Sequence, residues 1–114
     1  MTIVGPAQHW IEMLPGVRRR RLAATTQLYQ MEVRLDAGAE VPVHKHPHEQ
    51  ISHLLSGRLQ FHLGGTIREI NPGDTVIIPG NTSHAVVALA ESIVIDTFSP
   101  PRTDYLAGDG DTTR

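Results

Sequence analysis

Histidine is the residue type that offers this sequence the most chemistry. Seven His stand beside a single Lys, and no Cys is present. His44 and His46 are two positions apart, and on an extended strand the side chains at i and i+2 project from the same face. Two imidazoles placed in this way have the spacing of two metal ligands on one strand. The alternative is a pair of solvated His on a surface loop.

Two further donors follow along the chain. Pro47 ends the strand, and Gln50 opens the next one, where its amide oxygen can face the same interior. His84 comes after a Pro-Gly-Asn turn, at the start of another apolar run. Three neutral imidazoles and one oxygen would hold one divalent first-row transition metal and leave positions open to water or substrate. This donor set suits Mn, Fe, Co, Ni and Zn, and the sequence does not select among them.

Short strands have to carry these donors. Runs rich in Val, Ile, Thr and Leu recur between Gly, Pro and Asn residues, and within several of them apolar and polar residues alternate. This spacing is typical of an all-β sandwich or barrel with little helix. The predicted strands cover residues 27–35, 50–55, 58–63, 66–70, 74–78, 85–89 and 92–98.

Length and composition set the wider limits. A chain of 114 residues predicts a single domain over residues 1–114, with a barrel core at about 25–100 and a frayed tail at 107–114. The net charge of −2 favours neither nucleic acid nor an anionic membrane as a partner. The run Arg18–Arg21 has no interleaved aromatic residues, so we interpret it as a solvated edge strand rather than a nucleic-acid patch.

Membrane and export signals are also missing from the sequence pattern. The longest apolar stretches are far shorter than the roughly 20 residues that a membrane span needs. The N-terminus lacks the basic and then apolar order of a secretory signal. We therefore expect a soluble, cytoplasmic protein.

Two stretches of the sequence resemble the two motifs of the cupin superfamily. Residues 38–57 read GAEVPVHKHPHEQISHLLSG, and residues 73–84 read GDTVIIPGNTSH. They are similar to the patterns G-x5-HxH-x3–4-E-x6-G and G-x5-P-x-G-x2-H-x3-N of that superfamily. The resemblance implies a cupin double-stranded β-helix, which is a jelly-roll barrel whose mouth holds a metal.

The sequence departs from the first motif at its Glu position. Gln50 stands there, and we prefer it to Glu49 because six residues separate it from Gly57, as the motif requires. Glu49 and His48 remain the alternative ligands. An amide in place of a carboxylate leaves the site one charge unit more positive, which weakens metal affinity but makes the bound ion a stronger Lewis acid.

The last predicted strand offers a second group of polar and aromatic side chains. Val94, Asp96 and Phe98 share one face, so a carboxylate and a ring point the same way. Two Pro then end strand pairing and stiffen the chain before Arg102. Taken without the resemblance, a solvated Asp at the rim and an Arg on an exit loop would explain this pattern equally well.

The whole chain is similar to the single-domain cupins of the KdgF type, a family of pectin degradation. That family converts cyclic 4,5-unsaturated uronates from pectin or alginate into linear 4-deoxy-5-ketouronates, without redox chemistry. The resemblance implies metal ligation by His44, His46, Gln50 and His84, and roles at the substrate for Ser52, Asp96, Phe98 and Arg102.

These residue types fit that reaction. Arg102 would bind the uronate carboxylate with both arms of its guanidinium, and Asp96 would act as general acid and base. Phe98 would form an apolar wall, and Ser52 would line the pocket. A cupin dioxygenase acting on a small organic acid and a non-catalytic small-acid sensor are the alternatives. We expect an acidic sugar as substrate and a homodimer, with no nucleic-acid or membrane partner.

Overall fold

The computed structural model describes residues 1–109, and within this part the chain forms ten strands and one short helix. The elements are β1 (Ile11–Leu14), β2 (Val17–Ala24), β3 (Tyr29–Leu35), β4 (Glu40–His44), β5 (Glu49–Ser56), β6 (Leu59–Leu63), β7 (Thr66–Ile70), β8 (Thr75–Ile78), β9 (His84–Ala88), β10 (Ser92–Ser99) and α1 (Thr103–Gly108).

The strands form two antiparallel sheets. The larger sheet has the order β1-β2-β3-β10-β5-β8, and the smaller has the order β4-β9-β6-β7. From β3 to β10 the chain passes repeatedly from one sheet to the other, as it does in a jelly roll. The all-β class and the scarcity of helix predicted from the sequence are confirmed.

Alternation along β5 and β10 decides which side chains face the interior. In β10 every second residue, including Asp96 and Phe98, is buried, which confirms the predicted period of two. β5 pairs with β10 so that Ser52 lies beside Asp96 and Gln50 lies beside Phe98. Because paired residues project to the same side of a sheet, these four side chains form one inward-facing patch.

An apolar core fills the rest of the space between the sheets. It includes Val17, Leu35, Leu54, Leu59 and Val94, each at most 4% exposed. Full burial of such a side chain contributes roughly 1.5–3 kcal/mol. The buried polar patch on β5 and β10 therefore rests on a rigid support.

The N-terminal strands extend the larger sheet beyond the predicted core of about 25–100. β2 lies between β1 and β3, so it is not the solvated edge strand that we predicted for Arg18–Arg21. Arg19 is 5% exposed and is held by ion pairing and hydrogen bonding to Asp109 and Tyr29. Burial of this cation is possible because a carboxylate compensates it, and the sequence gives no local sign of that partner.

The C-terminal segment is ordered further than the predicted frayed tail allows. Ala107 and Gly108 belong to α1, and Asp109 is 2% exposed. The remainder of that predicted tail, residues 110–114, lies outside the described residues. Among residues 1–109, no helix has the length and apolar character to cross a membrane.

Candidate active site

Three His come together, two at strand ends and one in the turn that follows β4. His44 is the last residue of β4 and pairs with His84, the first residue of β9. His46 lies past the end of β4, so the two imidazoles of the HxH pair are not carried by one strand as we predicted. The chain still turns the ring of His46 towards the others, with its centroid 5.0 Å from that of His84.

The turn that carries His46 is braced by the loop before β9. The amide of Asn81 donates to the carbonyl of His46 over 2.7 Å. A Cβ atom at Gly80 would lie 2.5 Å from the carbonyl oxygen of Pro47, so only Gly allows this close approach. The two sequence motifs are therefore in backbone contact at the point where they place their His.

Backbone carbonyls fix how each imidazole is turned. The Nδ1 atoms of His44 and His84 lie 2.8 Å from the carbonyl oxygens of Pro42 and Thr82, and Nδ1 of His46 lies 3.1 Å from that of His48. Because a carbonyl oxygen can only accept, each Nδ1 carries the proton and donates it. In a neutral ring the lone pair is then on Nε2, which is the arrangement of metal-binding His. Nε2 of His46 faces Oε1 of Gln50, so two acceptor atoms stand side by side, as two ligands of one cation would.

The three His have the geometry of a metal site. One ring nitrogen from each of His44, His46 and His84 lies within 4.8 Å of the others. Nε2 of His84 is buried and has no hydrogen-bond partner among the described residues, which is costly unless a ligand satisfies it. Burial lowers the pKa of His84 to about 4 and also lowers the pKa of His46, so these rings are neutral near pH 7. The cluster fits a metal site.

Gln50 lies beside this cluster. Its Oε1 is 3.0 Å from Nε2 of His46, and its amide nitrogen donates to Oγ of Ser52 over 3.0 Å. The hydrogen bond to Ser52 turns the amide so that its oxygen faces the His. Of the two alternative ligands, Glu49 is exposed, and His48 has no ring nitrogen in the group of three that lie within 4.8 Å of one another.

Asp96 continues the hydrogen-bond chain away from the His. The hydroxyl of Ser52 donates to Oδ1 of Asp96 over 2.5 Å. Burial raises the pKa of Asp96 to about 6, although the hydrogen bonds from Ser52 and Gln50 oppose this shift. A carboxyl group with a pKa in this range exchanges protons readily near neutral pH.

Arg102 covers the site from the segment that follows β10. It is 8% exposed, and Asp104 holds its guanidinium through two hydrogen bonds of 3.1 and 2.9 Å. The guanidinium carbon lies 4.9 Å from the ring centre of Phe98 and 3.8 Å from that of Tyr105. Two aromatic faces and one carboxylate therefore define the plane of this cation.

One cavity brings together the residues that the sequence singled out. Its wall is apolar towards the core and polar at the end of the His cluster, where it is lined by His44, Gln50, Ser52, His84, Asp96, Phe98 and Arg102. His46 contacts this group through Gln50. The ligand and substrate roles of these residues stay predictions, and their convergence at one end of the barrel is what those roles require.

Tyr105 is the pocket residue that sequence reasoning missed. It also lines the cavity, and its ring packs on Tyr29 and Phe98 as well as on Arg102. Its position three residues after Arg102 would have placed both side chains on one face of a helical turn. The sequence predicts no helix after Arg102, so Tyr105 is not singled out from it.

Comparison with known proteins agrees with this geometry. Residues 31–96 match the family model described as a cupin domain. The chain is 35% identical over 99 residues to the pectin degradation protein KdgF of Dickeya dadantii (strain 3937), a match that covers 85% of this chain and 90% of that protein.

Two solved structures are also similar. The structure of KdgF from Halomonas sp. has a TM-score of 0.83 and 38% identity, covering 86% of this chain and 91% of that one. An RmlC-like cupin from Shewanella frigidimarina has a TM-score of 0.82 and 32% identity, covering 85% and 87%. Two motifs, two facing sheets and a three-His cluster at one end agree with these matches, and the chain belongs to the cupin superfamily, within the family of the pectin degradation protein KdgF.

Proposed function

We propose that this protein is a metal-dependent isomerase that opens cyclic 4,5-unsaturated uronates from pectin or alginate breakdown to linear ketouronates. The observation that carries the proposal is the convergence of two groups in one cavity. One group is the His cluster with the oxygen of Gln50, and the other is Asp96 with Arg102 and Phe98. The relationship to KdgF proteins supports the same substrate class.

The metal-binding part of the proposal rests on four donors. His44, His46 and His84 would hold a divalent first-row ion through Nε2, with Gln50 as an oxygen ligand. Such an ion, when bound, supplies a Lewis acid that polarises a sugar oxygen. Because the protein contributes no negative charge from these four side chains, the full charge of the ion acts on the substrate.

Arg102 is the group in the cavity best suited to the uronate carboxylate. Its guanidinium is buried and already oriented by Asp104, Phe98 and Tyr105, so little order has to be gained on binding. A guanidinium has five N–H donors, so it can keep its bonds to Asp104 and still contact a second carboxylate.

The reaction needs protons to be moved but none to be consumed. Opening the ring takes a proton from the hydroxyl at C1 as the bond from C1 to the ring oxygen breaks, and the ring oxygen gains a proton to form an enol. The enol then loses that proton while C4 gains one, which leaves a ketone at C5. Asp96, with a pKa of about 6, is the group in the cavity that can both accept and return a proton.

Turnover of unsaturated galacturonate by the purified protein tests the proposal. Opening followed by ketone formation removes the conjugated double bond, so absorbance of the substrate falls and product signals appear by NMR. We expect this loss without oxygen consumption, and we expect Asp96→Asn to slow it while Glu49→Gln, a matched change at an exposed carboxylate, does not.

Two outcomes would replace the proposal. Oxygen uptake that is stoichiometric with substrate loss would favour the dioxygenase. Binding of the uronate without any change in its spectrum would favour the non-catalytic sensor.

A further inference from the structure

The helix that follows Arg102 cannot hold itself in place. α1 has six residues, none of them buried, and no side chain caps its N-terminus. Isolated helices of this length do not form in water, because nucleation costs more than the few hydrogen bonds return. Attachment to the two sheets must therefore keep the segment in place: Tyr105 and Leu106 pack against the core, and a polar attachment adds to this packing.

Asp109 provides that attachment at the far end of the helix. Its carboxylate is 2% exposed and accepts hydrogen bonds from Arg19 and Arg21 of β2 and from the hydroxyl of Tyr29 of β3. The bonds from Arg21 and Tyr29 measure 3.0 and 2.8 Å. Arg19 also donates to the Tyr29 hydroxyl over 3.1 Å, so the cluster is cross-linked.

The cluster reaches Arg102 through one aromatic ring. Tyr105 lies between two guanidinium groups, with the carbon of Arg19 at 4.3 Å and that of Arg102 at 3.8 Å from its ring centre. The amide of Leu106 donates to the carbonyl of Arg102 over 2.9 Å, which ties the backbone of Arg102 to the same turn. The place of Arg102 over the cavity thus depends on where α1 is held.

We propose that Asp109 is a positioning residue, which fastens α1 to β2 and β3 and thereby sets Arg102 over the cavity for substrate binding. Asp109 does not line the cavity, so any effect that it has on substrate binding is indirect. The inference rests on the proposed function where it concerns substrate, and on the contacts alone where it concerns the placement of Arg102.

The variant Asp109→Asn tests the proposal in the full-length, metal-loaded protein. It removes the charge that compensates Arg19 and Arg21 while keeping the size of the side chain. Asp36→Asn is the matched control, because Asp36 pairs with Arg18 in an exposed ion pair. We expect the KM for unsaturated galacturonate to rise about tenfold in Asp109→Asn, with kcat within about twofold and metal content unchanged.

A second measurement needs no substrate. Phenylglyoxal modifies accessible guanidinium groups, and peptide mass spectrometry reports the rate at Arg102 separately from the other Arg. Release of α1 exposes Arg102, so we expect its modification to be about fivefold faster in Asp109→Asn and unchanged in the control.

Folding failure does not end the test. If Asp109→Asn fails to fold, Tyr29→Phe keeps the ring and both compensating Arg but removes the hydroxyl that bonds Asp109 and Arg19, and we expect smaller changes of the same kind. An Arg102 modification rate equal to wild type overturns the proposal. Faster modification with an unchanged KM also overturns it, because Asp109 would then stabilise the helix without serving the site. If wild type turns over no uronate, the proposed function fails, and the modification rate alone decides whether Asp109 positions Arg102.

Discussion

The substitution Gln50→Glu introduces the carboxylate of the first cupin motif, and the structure predicts that it makes the metal-free protein less stable. Gln50 is 7% exposed and donates to Ser52, whose single hydroxyl proton already goes to Asp96. An introduced carboxylate brings no donor for Ser52 and adds a second negative charge close to Asp96. One buried hydrogen bond is lost and a like-charge contact is gained.

The size of this penalty has an upper limit. The introduced carboxyl can take up a proton and then donate to Ser52 as the amide did. With an ordinary pKa of about 4.3, protonation at pH 7 costs about 3.7 kcal/mol, so the loss of stability is at most about 4 kcal/mol. A loss of about 2–3 kcal/mol in a domain of this size lowers Tm by about 10 °C. At pH 5 the same protonation costs about 1 kcal/mol, so most of the difference from wild type should disappear.

Thermal unfolding and metal retention together measure the effect. Thermal scans in chelator should show the lower Tm at pH 7, and saturation with Zn²⁺ should reverse it because the ion compensates the new charge. Metal loss to a chelator should be slower than in wild type, while kcat for the uronate falls as the ion becomes a weaker Lewis acid. Glu49→Gln changes the neighbouring exposed residue and should alter none of these quantities. A metal-free Tm equal to wild type would refute the predicted stability penalty, and faster metal loss together with lower kcat would refute the placement of Gln50 as a ligand.

Three further predictions follow from other contacts. His46→Ala should remove close to one equivalent of metal per chain by elemental analysis while circular dichroism keeps its β-sheet signal; active protein without metal would contradict this. Arg102→Lys keeps the positive charge but loses the forked guanidinium, so it should weaken substrate binding by about 2–4 kcal/mol, seen mainly as a raised KM. Asp96→Asn should instead lower kcat by about 10²–10⁴ with metal content unchanged. Identical effects of the two changes would count against separate roles for the two residues. Burial acts to raise the pKa of Glu32, but hydrogen bonds from Arg34 and Arg20 outweigh it and hold the pKa below its usual value. The contribution of Glu32 to the free energy of unfolding should therefore be present above the ordinary Glu pKa and be lost as the pH falls through the lowered value. Urea unfolding should show this pH dependence, and Glu32→Gln should reduce it.

Local pattern was enough to predict most of the fold. Strands β3 and β5 to β10 alternate apolar and polar residues or end at Gly and Pro turns, and both signals act within a few residues. The position of Asp96 and Phe98 on one face followed from the period of two alone. The His cluster was predicted as a set because its spacing and the motif resemblance agreed.

The predictions that were wrong or missing concern residues whose surroundings depend on contacts between distant residues. The sequence predicts a solvated strand for Arg19, because the carboxylate that compensates its buried charge, that of Asp109, lies 90 positions further along the chain. Tyr105 has no role that a local window can detect, since the two rings and two guanidinium groups that surround it come from three other segments and its own turn. His46 was placed on a strand because the spacing of HxH suits a strand, whereas the following Pro47 and the close approach of Gly80 favour a turn.

The carbonyl partners of the three clustered His have a consequence for how this scaffold can change its chemistry over evolution. Each Nδ1 donates to a carbonyl only two positions away along the chain, so the orientation of each ring is encoded within its own tripeptide. A carbonyl belongs to the backbone and survives almost any change of side chain. Residues of the opposite wall, such as Ser52 and Phe98, can therefore be replaced without turning the imidazoles. Both evolution and protein engineering can alter the substrate that the cavity accepts while the three imidazoles keep their orientation.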